Sequence, residues 1–220
     1  MKIRKKLVAM CLALLMVLTV FPQQVEAATA SYVVHFPTIM FTKGAETNHT
    51  YGYQLLDSTN KAKIIKAELK NKSLANVSIY SDKKGIWFHP KKTGSTTVKV
   101  TIKNGSKKKV HNIKLKIYKH ENPLTTFKVG KTQYKSKFNS KKIYYAKKPK
   151  KTSTVKLEVK AKKGYEITYI SYSYKKKEQY QSMQLTPGQK FKLYKESGSL
   201  TVSYRNKKTG CTASVTTFYQ

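Results

Sequence analysis

Lysine is the residue type whose number and spacing in this chain can do chemistry, and that chemistry is the capture of negative charge. The cations fall in runs: Lys107-Lys108-Lys109, Lys147-Lys148, Lys150-Lys151, Lys162-Lys163, Lys175-Lys176-Lys177 and Lys207-Lys208. The 220-residue chain holds 45 Lys and Arg against ten Asp and Glu, a formal net charge of +35. Charge of that size gives surface potentials of several kT and steers anionic partners. After residue 27 the only arginine is Arg205. Specific base readout leans on bidentate guanidinium contacts to guanine, which argues against it here. A lysine ammonium is a point charge suited to diffuse, sequence-blind phosphate contacts. The candidate binding residues are therefore Lys107, Lys108, Lys109, Lys147, Lys148, Lys150, Lys151, Lys175, Lys176 and Lys177. Tyr172 and Tyr174 stand next to the last run and would add a stacking surface for sugars or bases. The competing reading is that lysines solvate wet strand faces and deter edge-to-edge aggregation, while tyrosines pack strands. That reading accounts for alternating residues such as Lys99, Lys114, Lys116, Lys156 and Lys160 better than for the triplets.

Other chemistries find no constellation. His35, His49, His89, His111 and His120 show neither i, i+4 nor His-x-His spacing. Asp57 and Asp82 lie in turn sequence, where Asp bonds its own backbone. Glu158 and Glu166 alternate with lysines as cross-strand partners, and nothing marks the opposed carboxylate pair of a glycosidase. No Gly-x-Ser-x-Gly, phosphate-binding glycine loop or Cys-x-x-Cys is present. Cys211 alternates with Ala213 and Val215 and reads as a small buried hydrophobe. The expectation is a protein without enzymatic activity, with no catalytic residue, metal or cofactor.

The elements that position the lysines follow from the order of the chain. Met1 to Ala27 has the form of a secretory signal: Lys2, Arg4, Lys5 and Lys6, an apolar run from Leu7 to Val20, and Val25-Glu26-Ala27 as cleavage site. The run of about 14 residues is short of the roughly 20 of a spanning helix. No further apolar run is long enough, so no transmembrane segment is expected in the mature chain. Taking the leader's four cations and one acid from the chain's 45 and ten leaves 41 against nine, about +32. One cysteine then remains, so a secreted chain must be held by its core alone.

Strict apolar/polar alternation marks half-buried strands. Val98, Val100 and Ile102 alternate with Lys99 and Thr101, and after Asn104-Gly105 come Ile113, Leu115 and Ile117 with Lys114 and Lys116. Asn-Gly between two such runs signals a hairpin. Earlier strands are expected at Ser31–Phe36, Thr50–Leu56 and, over a competing helical pattern, Lys61–Lys70. Glu121-Asn122-Pro123 reads as a domain boundary, because proline fixes the exit geometry. Beyond it, strands are expected at 132–138, 143–146, 155–161, 165–174, 191–193, 200–204 and 213–219. A bulge near Tyr169-Ile170 would reconcile two side-chain parities. This spacing is the sandwich pattern.

Residues from about 60 to 119 resemble the bacterial immunoglobulin-like domains of invasin/intimin type, called group two. The resemblance rests on Asn71…Leu74-Ala75-Asn76-Val77, Gly85-Ile86 and Lys92-Thr93-Gly94…Val98-Lys99-Val100. His89-Pro90 departs from the pattern by one residue. The resemblance implies a β-sandwich and surface display, and it brings no catalytic residue. The expected organisation is all-β: a signal peptide over 1–27, an Ig-like domain over 28–120 and a second β-sandwich over 121–220. The expected function is that of a secreted, non-enzymatic cell-surface module held on anionic wall polymer or acidic glycan by its lysines. The alternatives are a secreted, sequence-independent nucleic-acid binder and, with less support, a cryptic hydrolase. Limited proteolysis should cut near Glu121-Asn122-Pro123 and leave two folded fragments. Fragments that both lose their β circular dichroism would show that the two blocks depend on each other.

Overall fold

The alternation of the sequence becomes pleated sheet, with sixteen strands in the computed structural model, which describes residues 32–45, 49–176 and 178–220. The expected leader and Lys177 lie outside the described residues. The first seven strands are β1 (Thr38–Lys43), β2 (Tyr51–Gln54), β3 (Lys63–Leu69), β4 (Ala75–Ile79), β5 (Gly85–Pro90), β6 (Gly94–Asn104) and β7 (Lys107–Lys119). They form one sheet in the order β1-β7-β6-β3 and another in the order β2-β5-β4. β1 runs parallel to β7, and the other pairs are antiparallel. The last two strands share a sheet with the third, and the second pairs with the fifth and fourth, which is the strand order of an immunoglobulin sandwich. The apolar parity faces inward: Ile39, Phe41, Ile64, Val98, Val100, Ile102, Ile113, Leu115 and Ile117 are buried with Leu74, Ile86 and Phe88.

The family-like motif closes one end of this sandwich. The Asn71 side chain accepts from the Ser73 backbone N–H at 3.0 Å, and the Leu74 carbonyl accepts from Lys91 N at 2.8 Å. Gly94 takes φ +145°, and a Cβ there would meet Leu74 Cδ2 at 3.1 Å, so Leu74 and Gly94 fit only as a pair. In the β6–β7 hairpin Asn104 faces Lys107, and Gly105 alone has positive φ, at +60°. The loop is therefore Gly105-Ser106 with glycine first, as in a type II′ turn, rather than the Asn104-Gly105 turn expected from the dipeptide.

The second half repeats part of the scheme. Its strands are β8 (Leu124–Val129), β9 (Thr132–Gln133), β10 (Ile143–Ala146), β11 (Ser153–Ala161), β12 (Tyr165–Lys176), β13 (Gln179–Gln184), β14 (Lys190–Leu193), β15 (Gly198–Asn206) and β16 (Thr212–Tyr219). The sheets are β10-β16-β15-β12-β13 and β14-β11-β8-β9, with β10 parallel to β16 just as β1 is to β7. A separate cluster of buried residues, among them Phe127, Phe138, Leu157, Ile170, Tyr172, Leu200, Val202, Tyr204 and Val215, fills the space between them.

Three expectations need correction. Residues 32–37 are not a strand; the first begins at Thr38, after Pro37. The expected strand over 132–138 is two residues of β9 followed by a 3-10 turn, Lys135–Phe138, which turns Phe138 into the core. β13, with the sequence Gln-Tyr-Gln-Ser-Met-Gln, was missed because it alternates weakly. Lys61–Lys70 is strand, as expected, with a bulge between Ile64 and Lys66. The β12 bulge lies between Ile167 and Tyr169, one step before the expected place.

The two sandwiches meet over polar groups. Lys142, just before β10, is only 5% exposed. Its Nζ donates to the Thr42 carbonyl at 3.0 Å and to the Tyr51 hydroxyl, and it stands 4.4 Å from the Tyr51 ring centroid. Buried His120 meets the Phe138 carbonyl at 2.9 Å through Nε2. Replacing Lys142 by Met keeps the stem and removes the bonds, so it should lower stability by about 1.5–3 kcal/mol. The exposed neighbour change Lys141→Met should stay within about 0.5 kcal/mol. Urea unfolding of the two variants checks this; equal midpoints would mean that Lys142 contributes nothing to the junction.

Candidate functional site

The strand register assembles a face that the runs of lysine do not reveal. In an antiparallel sheet, directly opposite residues point the same way. Lys63 faces Lys103, and Lys103 faces Lys108, so three ammonium groups share one rung across β3, β6 and β7. The next outward rungs hold Lys66 with Thr101 and Val110, and Glu68 with Lys99 and Asn112. Beyond them come Thr97 with Lys114 and Ser95 with Lys116. Seven lysines thus line the outer face of one sheet. Glu68 is the carboxylate among them, held at 3.0 Å by Lys66. Like charges directly opposite each other are destabilising. The rung of Lys63, Lys103 and Lys108 is therefore a place where a bound anion would relieve repulsion.

The expected binding residues are not gathered in one place. Lys107, Lys108 and Lys109 are exposed at the hairpin end, but only Lys108 lies on that face; Lys107 and Lys109 have the opposite parity, with Lys109 facing Ile102. Lys147, Lys148, Lys150 and Lys151 are exposed in the loop from β10 to β11, in the other sandwich. Lys175 and Lys176 end β12, where Lys175 is held by Glu178 at 2.5 Å. β10 and β12 stand three strand spacings or roughly 14 Å apart in their sheet. Ala146, Tyr219, Gly198 and Tyr174 share one rung, so the β10–β11 loop and the β12 end leave this sheet at the same end.

Tyr172 and Tyr174 must be withdrawn as a stacking surface. They are 0% and 7% exposed and lie in the core. The Tyr172 hydroxyl accepts from Tyr194 N at 3.0 Å, and the Tyr174 hydroxyl donates to Gln181 at 3.0 Å. The bulge before Tyr169 sets this parity: it turns Ile170, Tyr172 and Tyr174 inward and leaves Tyr169 outside. Exposed rings in this half are Tyr145, stacked on Phe218 with centroids 5.5 Å apart, Tyr169 and Tyr180. The lysines of β3, β6 and β7 were legible as alternation, but only the register shows that they share a rung.

Ionisable groups elsewhere pair locally. His35 lies 2.8 Å from Asp57, and the Tyr32 hydroxyl lies 2.9 Å from His111 Nε2. Burial, and then Lys109, lower the His111 pKa. Among the described residues no three of His, Cys, Asp and Glu come together as a metal site. No helix among them is long and apolar enough to cross a membrane.

No family model matches the chain, and no curated protein matches its sequence. Solved structures of similar shape include domains 5–6 of the S-layer protein SbsC, at 13% identity and TM-score 0.31 over 86% of this chain and 97% of that one. Drosophila N-cadherin EC1-4 aligns at 14% identity and TM-score 0.29 over 87% of this chain and 49% of that one. The endo-fucoidan hydrolase MfFcnA4 of glycoside hydrolase family 107 aligns at 9% identity and TM-score 0.28, over 83% of this chain and 27% of that one. Likeness at this level carries no argument about function.

Cys211 is the remaining group with nucleophilic potential, and its surroundings suppress it. It is 2% exposed, and burial pushes its thiol from 9.0 up to about 11, against a smaller downward pull from Lys142. At pH 9 the thiolate fraction then falls from about one half to about one in a hundred. Alkylation by iodoacetamide at that pH should be at least about fiftyfold slower in the folded protein than in urea. Equal rates would show an accessible, activated thiol and reopen the case for chemistry at this residue.

Proposed function

We propose that this chain is a secreted, non-enzymatic module of the bacterial cell surface, retained on an anionic polymer by its lysines. The observation that carries the reading is the rung of Lys63, Lys103 and Lys108, continued by Lys66, Lys99, Lys114 and Lys116 on one sheet face. Such a face presents cations at the strand spacing of about 4.8 Å and suits repeated phosphate or other acidic groups. The lysines of the β10–β11 loop and of the end of β12, at one end of the other sandwich's larger sheet, would add a second point of attachment. The leader-like sequence Met1–Ala27 supports export. The first sandwich is of invasin/intimin type in this reading, supported by Asn71, Leu74 and Gly94 meeting at one corner. The two sandwiches are separate modules, and the partner is a wall polymer or an acidic glycan.

Titration against purified teichoic acid at several salt concentrations tests the reading. Each neutralised phosphate releases a counterion, with a log–log slope of roughly −0.7 to −0.9 per contact. Five or six engaged lysines give a slope of about −4, so a fourfold rise in salt weakens binding by about a few hundredfold. Changing Lys63, Lys103 and Lys108 to Gln together should reduce the slope by about two to three while leaving the fold as stable as before or more so. A flat salt dependence, or a slope unmoved by the triple change, would overturn the proposal. Tighter binding of single-stranded DNA at matched salt would favour the nucleic-acid reading instead.

A further inference from the structure

The five-stranded sheet of the second sandwich ends on a strand without the usual protection. Natural edge strands are kept from pairing by lysine, proline, bulges or short length. Most other edges here use these devices; β4, with five residues, is the other edge that carries no lysine, proline or bulge. β3 carries Lys63, Lys66 and a bulge, β14 carries Lys190 and Lys192, and β2, β10 and β9 have four, four and two residues. β13 has six residues, neither lysine nor proline, and β12 as its one partner among the described residues. From Gln179 to Gln189 the chain carries no charge at all.

The open side of this edge can be assigned residue by residue. Leu185 N donates to the Ile170 carbonyl at 2.9 Å. Hydrogen-bonded and non-hydrogen-bonded pairs alternate in an antiparallel ladder. Met183, Gln181 and Gln179 therefore turn their backbone groups to β12, while Tyr180, Ser182 and Gln184 turn theirs outward. The 3.2 Å bond between the Ser182 and Ser173 hydroxyls agrees, since side chains are closest in non-hydrogen-bonded pairs. Tyr180 is 77% exposed at this rim. The outer face of the same sheet carries hydroxyls such as Ser171, Ser173, Ser199, Thr201, Ser203 and Thr216 where the first sandwich has lysines.

We infer that β13 pairs antiparallel with β13 of a second copy, joining two five-stranded sheets into one. The placement of charge selects this occupant and this direction. With Ser182 opposite the partner's Ser182, so that Tyr180 faces the partner's Gln184, the cations Lys175 and Lys176 of each copy lie beside the partner's uncharged Leu185-to-Gln189 segment. The two sets of lysines are then separated by a strand length of roughly 20 Å, about twice the Debye length at 0.1 M salt. Parallel pairing would stack the same lysines on each other. What opposes the dimer is the net charge of the chain, so salt strengthens it, whereas salt weakens polyanion binding. The two readings can therefore fail independently.

Sedimentation equilibrium of the chain lacking the leader tests this at about 0.1 M and about 1 M salt, where the Debye length falls from roughly 10 Å to 3 Å. The expected result is a monomer–dimer equilibrium whose dissociation constant falls at least about tenfold at the higher salt. Ser182→Pro removes an N–H that points away from β12, so it should abolish the dimer without breaking the β12–β13 ladder. The variant should keep the wild-type circular dichroism and melting temperature. If it unfolds instead, hydrogen exchange on the unaltered protein decides: the amides of Tyr180, Ser182 and Gln184 should gain protection with rising protein concentration, while that of Gln181 should not change. A wild-type chain that stays monomeric at both salts, or a folded Ser182→Pro variant that still dimerises, overturns the inference. So does exchange at the three outward amides that is independent of concentration.

Discussion

Everything in this chain must coexist with a net charge of +35 and, among the described residues, with no disulfide to oppose the resulting repulsion. The constraint that makes this possible is the two-residue period of the β-strand. It sends every second side chain into a dry core and every other one into water, so charge and core never compete for the same position. On β6, Val98, Val100 and Ile102 are fully buried, while Lys99 and Lys103 between and beside them stay outside. A helix with the same composition would scatter lysines around its circumference. The sheet concentrates them on one side, which is why a sandwich can carry this many cations and still fold.

The same period explains how much could be read from the sequence. The all-β fold, most of the strands and the inward parity of β6, β7, β11 and β16 follow from alternation that stands in the residues themselves. The Asn71, Leu74 and Gly94 corner was legible as a spacing motif, and its geometry supplies the reason for that spacing. The parity of β12 needed more. Tyr165, Ile167 and Tyr169 alternate as cleanly as Ile170, Tyr172 and Tyr174, and a single extra residue between Ile167 and Tyr169 lets Tyr165 and Ile167 pack against the same core as Ile170, Tyr172 and Tyr174 and leaves Tyr169 outside. A bulge leaves little compositional trace, so Tyr172 and Tyr174 looked like surface when they are core.

The lysine face was hidden for a different reason. Lys63, Lys103 and Lys108 belong to three strands, and their sequence separations are set by loop lengths that carry no information about pairing. Runs such as Lys107 to Lys109 draw the eye, yet consecutive residues of a strand point to opposite sides, so a run dilutes its charge over two directions. An alternating lysine, which reads as ordinary solvation, is the one that can join a rung. Lys142 shows the converse: it lies beside Lys141 in an unremarkable pair, but the end of β10 carries it into the junction, where carbonyl, hydroxyl and ring satisfy it.

One sheet of each half shares a strand order, β1-β7-β6-β3 and β10-β16-β15-β12, down to the parallel pairing of β1 with β7 and of β10 with β16, while the opposing sheets are ordered differently. The outer faces of their larger sheets differ: lysines in rungs on the first, hydroxyls and a few rings on the second, whose smaller sheet sets Lys156 opposite Lys190. Fold sets the positions available, and the outward residues set what each position meets. A single polymer-binding role spread evenly over the surface would have made both faces cationic. The separation into a charged face and a neutral sheet with a bare edge is better explained by two tasks, one needing attraction to an opposite charge and the other needing relief from like charge. The two proposed tasks respond to salt in opposite directions: added ions weaken attraction to an opposite charge and relieve repulsion between like charges.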